Sequence, residues 1–306
     1  MSRQVLPFDM FSHARTPQEA RVATTTENLY FRGQETIWDG RQELKKAVAK
    51  YDGLYLEREK AGALGRIFSG IMWGELAAWN VSASLVQKIV PLEAKLASSI
   101  QVMDESRHFY VLRDYLELLG QPLQALGPKS QLFFSDILNT SNLAKQILSM
   151  QLMVEPLALT VFQLTREHNI EPVLCDLLAL IERDEARHLA FGVLYLPVVL
   201  KALRPHEVTS LSAWQIRQYL RQLGMLQERS ADLRALGLDP RDVLKLARTK
   251  QLAAAEMLAA EMGTELPLMN LFRALVDFNA EIYIPEKEGQ SLLRRLQLGY
   301  NAALQS

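Results

Sequence analysis

One five-residue pattern occurs twice in this chain, and it constrains the fold more than any other feature. Asp104-Glu105-Ser106-Arg107-His108 and Asp184-Glu185-Ala186-Arg187-His188 agree at four of five positions and lie 80 residues apart. With residue types near 5% each, one Asp-Glu-x-Arg-His is expected by chance in roughly 0.002 chains of this length, so two copies are not an accident. Both sit in apolar, helix-forming surroundings. Positions i and i+3 of a helix share a face, so Glu105 with His108, and Glu185 with His188, can each hold one metal ion.

A pair of ions needs more carboxylates, and the chain carries them at matched distances. Glu75 lies 30 residues before Glu105, and Glu155 lies 30 residues before Glu185. If each interval is a helical hairpin, its midpoint is a turn. The midpoints read Ile89-Val90-Pro91 and His168-Asn169-Ile170-Glu171-Pro172, and proline favours the first turn of a new helix. Fifteen residues of helix span about 22 Å in each direction. Glu75 then returns level with Glu105, and Glu155 level with Glu185. Two such hairpins make a four-helix bundle with six ligands in one layer.

The charges agree with that arrangement. The carboxylates of Glu75, Glu105, Glu155 and Glu185 balance two divalent ions. Without cations, burying each would cost several kcal/mol or force it to take up a proton. Solvated helix faces are the usual place for Glu, but the settings Met72-Trp73-Gly74-Glu75-Leu76-Ala77-Ala78-Trp79 and Met153-Val154-Glu155-Pro156-Leu157-Ala158 are apolar.

The remaining chain reads as all-α. Residues 1–40 are expected to be an irregular N-terminal arm, polar and interrupted by Pro7, Pro17 and Thr24-Thr25-Thr26. Residues 41–204 hold a charged helix (about 41–64) and the bundle, with helices near 66–89, 92–119, 141–168 and 172–203. Pro156 should kink the third helix beside the metals. Residues 205–306 continue as helices near 206–235, 239–262, 267–282 and 287–304, packed on the bundle in the same domain or covering it. They carry no cluster of ligand-type residues.

Bulk properties exclude several classes. The chain has 306 residues, 49% of them hydrophobic, and a net charge of −1. A balanced charge gives no basis for nucleic-acid or anionic-membrane binding. The single Cys175 excludes an internal disulfide and fits a reducing cytosol, so a cytoplasmic location is expected. No N-terminal apolar run has signal-peptide length, and charges interrupt the long apolar stretches, so no membrane span is expected.

The pattern Glu75, Glu105-x-x-His108, Glu155, Glu185-x-x-His188 resembles the ferritin-like di-iron carboxylate superfamily. In its doubled Asp-Glu-x-Arg-His form it is similar to soluble bacterial di-iron monooxygenases and acyl-carrier-protein desaturases, over about residues 66–200. The resemblance implies Glu75 and Glu155 as outer carboxylates, Glu105 and Glu185 as bridges between two irons, and His108 and His188 as ligands of one ion each. It implies that Asp104 and Asp184 orient the ligand imidazoles through their second ring nitrogens, with Arg107 and Arg187 balancing those aspartates. Hard carboxylates with two imidazoles suit iron, or manganese at one site, over zinc or copper.

Departures narrow the comparison. Where the radical-storing relatives have a Tyr four residues after the first His, this chain has Leu112. Where arylamine N-oxygenases have a third His, it has Ile181. The Thr of the monooxygenases is displaced, with Leu159 in its place and Thr160 beside it, and Glu182 is an extra acid one turn before Glu185. The implied function is an O2-dependent oxygenase or oxidase acting on a C–H or N–H bond of a largely apolar substrate, a small molecule or a carrier-bound acyl chain. Hydroxylation, desaturation and N-oxygenation all remain open. No nucleotide-binding motif is present, so electrons would come from a separate ferredoxin or flavin reductase, and a homodimer is expected. The competing class is an iron-handling ferroxidase of the ferritin type. The long C-terminal region argues for the enzyme, with a cavity reaching the metals between the third and fourth helices near Ala158 and Leu159.

Overall fold

The computed structural model describes residues 17–262, 269–285, 287 and 289–305. Among them no strand occurs. The bundle consists of α3 (Arg58–Lys88), α4 (Leu92–Leu118), a composite third helix, and α8 (Pro172–Lys201). The third helix is α6 (Leu143–Ser149), a π-helical segment (Met150–Val154) and α7 (Glu155–Glu167). Both hairpin turns fall at the expected midpoints, between Lys88 and Leu92 and between Glu167 and Pro172. At the second turn Asn169 takes φ 44°, a left-handed conformation that Asn tolerates better than most residues. Glu171 caps α8 by accepting from the Leu174 N–H and from the buried Tyr115 hydroxyl at 3.0 Å, which ties the start of α8 to the end of α4.

Two apolar cores fill the bundle, one at each end. The first gathers Leu64, Phe68, Leu112, Tyr115, Phe162, Leu174 and Leu178. The second gathers Val81, Leu85, Ala94, Ile147, Phe191 and Leu196. On every helix the ligand positions fall between the two clusters, so the acidic layer is a polar waist held between dry ends.

The third helix is wound wider at its middle, where its ladder is a donor short. The Glu155 N–H bonds to the Met150 carbonyl five residues back, and Pro156 has no N–H to offer the ladder. The helix takes up the defect as a π segment. That turn presses on α8, where a Cβ at Gly192 would sit 2.4 Å from Gln151 Cβ. Only glycine fits there.

Residues 1–16 of the expected arm lie outside the described residues, and the rest of it differs from expectation. Residues 17–35 form a helix, α1 (Pro17–Glu35), followed by α2 (Gly40–Lys50), where an irregular arm was predicted. The threonines that argued against it satisfy their hydroxyls by bonding back to carbonyls three or four residues earlier. Ala23 and Leu29 are buried, and α1 and α2 pack across α4 and α8. Gly33 permits the close approach, because a Cβ there would meet Ile100 Cγ1 at 2.6 Å.

The connection between α4 and α6 contains α5 (Pro128–Asn139). The C-terminal region comprises α9 (Pro205–Glu228), α10 (Ser230–Ala235), α11 (Pro240–Met262), α12 (Met269–Tyr283) and α13 (Leu292–Gln305). Helix α11 lies against α7 and α8, and α9 against α5 and α6. One stretch, Leu143–Glu167, is long and apolar enough to cross a membrane. It is the third bundle helix, carries Glu155 at its middle, and is mostly buried inside the protein.

Candidate metal centre

The six predicted ligands meet in the waist. Glu75 comes from α3, Glu105 and His108 from α4, Glu155 from the start of α7, and Glu185 and His188 from α8. Two groups form, each with ligand atoms all within 4.8 Å of one another: Glu75, Glu105, His108 and Glu185; and Glu105, Glu155, Glu185 and His188. Glu105 and Glu185 belong to both groups, as bridging ligands must. His108 Nδ1 lies 3.1 Å from Glu185, 3.5 Å from Glu75 and 3.7 Å from Glu105. His188 Nδ1 lies 3.1 Å from Glu185 and 3.2 Å from Glu105.

The far ring nitrogens are held crosswise. His108 Nε2 faces Asp184 at 3.3 Å, and His188 Nε2 faces Asp104 at 3.1 Å. Each motif thus supplies the aspartate that orients the other motif's histidine. Both arginines span both aspartates. Arg107 donates to Asp104 (2.5 Å) and Asp184 (2.7 Å), and Arg187 to Asp104 (3.0 Å) and Asp184 (2.8 Å). Two anions and two cations make this layer neutral, so it leaves the four ligand carboxylates to balance whatever lies between them. Trp38, just before α2, closes the layer by donating its indole N–H to Asp184 at 2.7 Å.

Protonation follows from burial and partners. Burial pushes Glu75 and Glu155 well above the ordinary carboxylate range. It pulls the imidazoles down, yet facing acids win. His108 is raised by the facing carboxylates of Asp184, Glu105, Glu185 and Glu75, and His188 by the charges of Glu105 and Glu185 and by Asp104. Burial alone would raise Glu105, Asp104 and Asp184, but His188 and His108 hold all three below their ordinary values. Protons here stand in for cations. Buried Glu105 Oε2, Glu155 Oε2 and His108 Nδ1 have no hydrogen-bond partner. Hard oxygen donors, two imidazoles and three orphaned ligand atoms fit a pair of divalent ions.

No protein-family model and no curated sequence matches the chain. Among solved structures, a Synechococcus protein with aldehyde-deformylating oxidase activity superposes with a TM-score of 0.57 at 20% identity, covering 68% of this chain and 95% of that one. Two variants of an R2-like ligand-binding oxidase with an aerobically reconstituted Mn/Fe cofactor align at TM-score 0.47 and 14% identity. They cover 78% and 90% of this chain and 93% of their own.

The fold is ferritin-like.

In this ferritin-like waist the departures noted above find their places. Leu112 and Ile181 are fully buried core residues, so neither of these two positions offers a Tyr or a third His. Glu182 pairs with Arg166 and joins neither ligand group. Thr160 gives its hydroxyl to the Pro156 carbonyl of its own helix at 2.8 Å.

A cavity of about 130 Å³ opens from the carboxylates, lined by all four ligand glutamates but by neither imidazole. Its walls are α3 (Ile71, Gly74) and the third helix (Val154, Ala158), roofed by Phe134 of α5, Met225 of α9 and Leu233 of α10. The expected position between the third and fourth helices is therefore corrected. Ala158 lines the cavity, Leu159 does not, and α8 contributes only Glu185. Small residues on α3 make the space there, while α7 and α8 pack closely.

Two buried amides escaped the sequence reading. Gln101 donates to Glu105 Oε1 and Glu155 Oε1, both at 3.0 Å, and Gln151 donates to Gln101 at 3.3 Å. A signal existed: Gln101 and Gln151 each precede a ligand glutamate by four residues, one turn on the same face. Trp38 lies 146 residues from Asp184 and left none.

Proposed function

We propose that this chain is a non-haem di-iron oxidoreductase that uses O2 to oxidise a C–H or N–H bond of a largely apolar organic substrate. The observation that carries it is the common cavity: four candidate ligand carboxylates face one largely apolar pocket, while the imidazoles are fixed behind them by Asp104 and Asp184. Glu75, Glu105, His108 and Glu185 would hold one iron, and Glu105, Glu155, Glu185 and His188 the other, with manganese an alternative at one site. Two reduced ions so bound would supply the electrons that break the O2 bond.

The protein's own part is binding, orientation and exclusion of water. The four carboxylates are at most 5% exposed, and the pocket in front of them is walled mainly by aliphatic side chains. Crosswise aspartates fix which imidazole nitrogen faces the ions. Thr160 has its hydroxyl bound to its own helix, so proton delivery through that position is not part of this reading. The reading includes an external ferredoxin or flavin reductase as electron donor, a homodimer, and a cytoplasmic location in keeping with the free Cys175.

Oxygen-electrode measurements on reduced, iron-loaded protein test it. Expected are O2 uptake that stops near one turnover without substrate, coupled product formation with an apolar substrate, and a small oligomer on size exclusion. A multi-subunit shell that accumulates a ferric mineral would establish the iron-handling class instead.

A further inference from the structure

The C-terminal helices do more than roof the cavity. At the π segment, the Met153 carbonyl accepts from the side-chain amide of Gln222 on α9 at 2.8 Å and from that of Gln251 on α11 at 3.1 Å. The two amides are themselves joined, Gln251 donating to Gln222 Oε1 at 3.0 Å. A carbonyl oxygen has two lone pairs. Two side-chain donors fill them, so Met153 needs no N–H from the helical ladder.

Met153 lies two residues before Glu155 in the chain. Its carbonyl is at the place where the helix is wound wide, and Pro156 denies the ladder a donor just beyond. An α-helical register would otherwise be the cheaper winding for this stretch. Two further contacts grip the same helix on either side. Trp214 of α9 donates to Ser149 Oγ at 2.9 Å, and Lys250 of α11 donates to the Leu159 carbonyl at 3.3 Å. Burial agrees: Gln222 is 5% exposed, and an unpaired amide there would cost about 1–3 kcal/mol.

We propose that Gln222 and Gln251 are positioning residues that hold the π register of the third helix and so set where Glu155 presents its carboxylate. The C-terminal helices are thereby coupled to one ligand of the centre, and a shift of α9 or α11 reaches Glu155 through a single carbonyl. Of the two ligand groups only one contains Glu155, so the clamp acts on the ion beside His188 and spares the one beside His108. This inference rests on the two-ion centre described above.

The test is titration of metal-free protein with Co2+, followed by its visible absorption, together with far-UV circular dichroism. Wild type should take up two ions tightly. Gln222→Leu with Gln251→Met should weaken one ion by roughly 10–100-fold, the range for changes behind metal ligands, and leave the other unchanged. Should the double variant fail to fold, Gln251→Met alone carries the test, with a smaller loss confined to the same ion. Gln218→Leu is the control: Gln218 is buried on the same helix and bonds Asp136 at 3.1 Å, so its loss should lower stability without separating the ions. Two unchanged ions in the variants, or equal weakening of both, would overturn the clamp. Wild-type protein that binds fewer than two ions would instead overturn the metal-centre reading itself.

Discussion

Asp104 faces His188 on a different helix at 3.1 Å, although His108 lies one turn along its own helix. Asp184 returns the exchange to His108. An ion beside one motif's histidine would therefore be tuned by the other motif's aspartate, and because Glu105 and Glu185 belong to both groups, deleting a whole motif would weaken both sites. Single substitutions can separate them. Asp104→Asn should weaken the ion bound by His188, and Asp184→Asn the ion bound by His108, each by roughly 10–100-fold. Where the histidine partner is already replaced, adding the aspartate change should cost little more, because the aspartate acts through that ring. Metal titrations of the two single and two double variants decide it; Asp104→Asn acting on the His108 ion would reverse the assignment.

Metal-free and metal-loaded protein should respond to pH in opposite directions. Burial holds Glu75 and Glu155 protonated well above the ordinary 4.5, and His108 and His188, despite burial, stay protonated well above 6.5. A group whose pKa rises on folding contributes stability below its unfolded pKa and loses it as pH climbs through the folded value. The two carboxylates therefore weaken the metal-free fold from about pH 4.5 upward, and the two imidazoles add to this from about pH 6.5 upward. Asp104, Asp184 and Glu105 are held low, so their contribution is present above their unfolded values and is lost only at more acid pH. Bound ions must displace the protons, so metal affinity rises with pH over the same window. Calorimetry of both forms should show a gap in Tm that widens with pH. A constant gap would mean that other groups bind the metal.

The meeting of the six candidate ligands was legible because helical spacing is rigid: i to i+3 fixes Glu105 with His108, and a matched hairpin length brings Glu75 and Glu155 level with the motifs. The turns were legible from Pro91 and Pro172 for the same reason. Less legible was anything decided between helices distant in sequence. The crosswise aspartates need the rotation of α4 against α8, and Trp38 needs the path of the chain before α2. Residues 17–35 misled because three consecutive threonines have poor helix propensity, which burial of Ala23 and Leu29 against the bundle overrides. Pro156 was read as a kink. The structure answers it with a π segment, and no local rule chooses between those responses without the partners on α9 and α11.

Gln101 offers a sharper test of the buried amides. Its single Nε2 serves both Glu105 and Glu155, so it holds a shared ligand and an outer ligand in fixed relation. Gln101→Leu should remove both bonds with little change in volume, leaving Gln151 without its acceptor. The expected cost to the metal-free fold is about 1–3 kcal/mol, from carboxylate oxygens and an amide left unsatisfied. Thermal melts with and without Mn2+ measure it, and the loss should shrink when ions take up the freed oxygens. An equal loss in both forms would limit Gln101 to packing.

The cavity makes a separate prediction, because two glycines on its wall differ in what surrounds them. A Cβ at Gly70 would meet nothing within 4 Å, whereas one at Gly74 would press Phe134 Cζ at 3.3 Å. Gly70→Ala should therefore raise stability by up to about 1 kcal/mol through helix propensity alone, while Gly74→Ala gains less or loses. Gly70→Phe would extend a ring into the apolar space beside Ile71 without touching a ligand. Metal content should stay at two ions, and an apolar fluorescent probe should bind at least about tenfold more weakly, equivalent to about 1.4 kcal/mol. Probe titration, metal analysis and melting curves on the three variants check these outcomes together. Undiminished probe binding to Gly70→Phe would show that apolar ligands reach the protein elsewhere, and the substrate assignment of this cavity would fall with it.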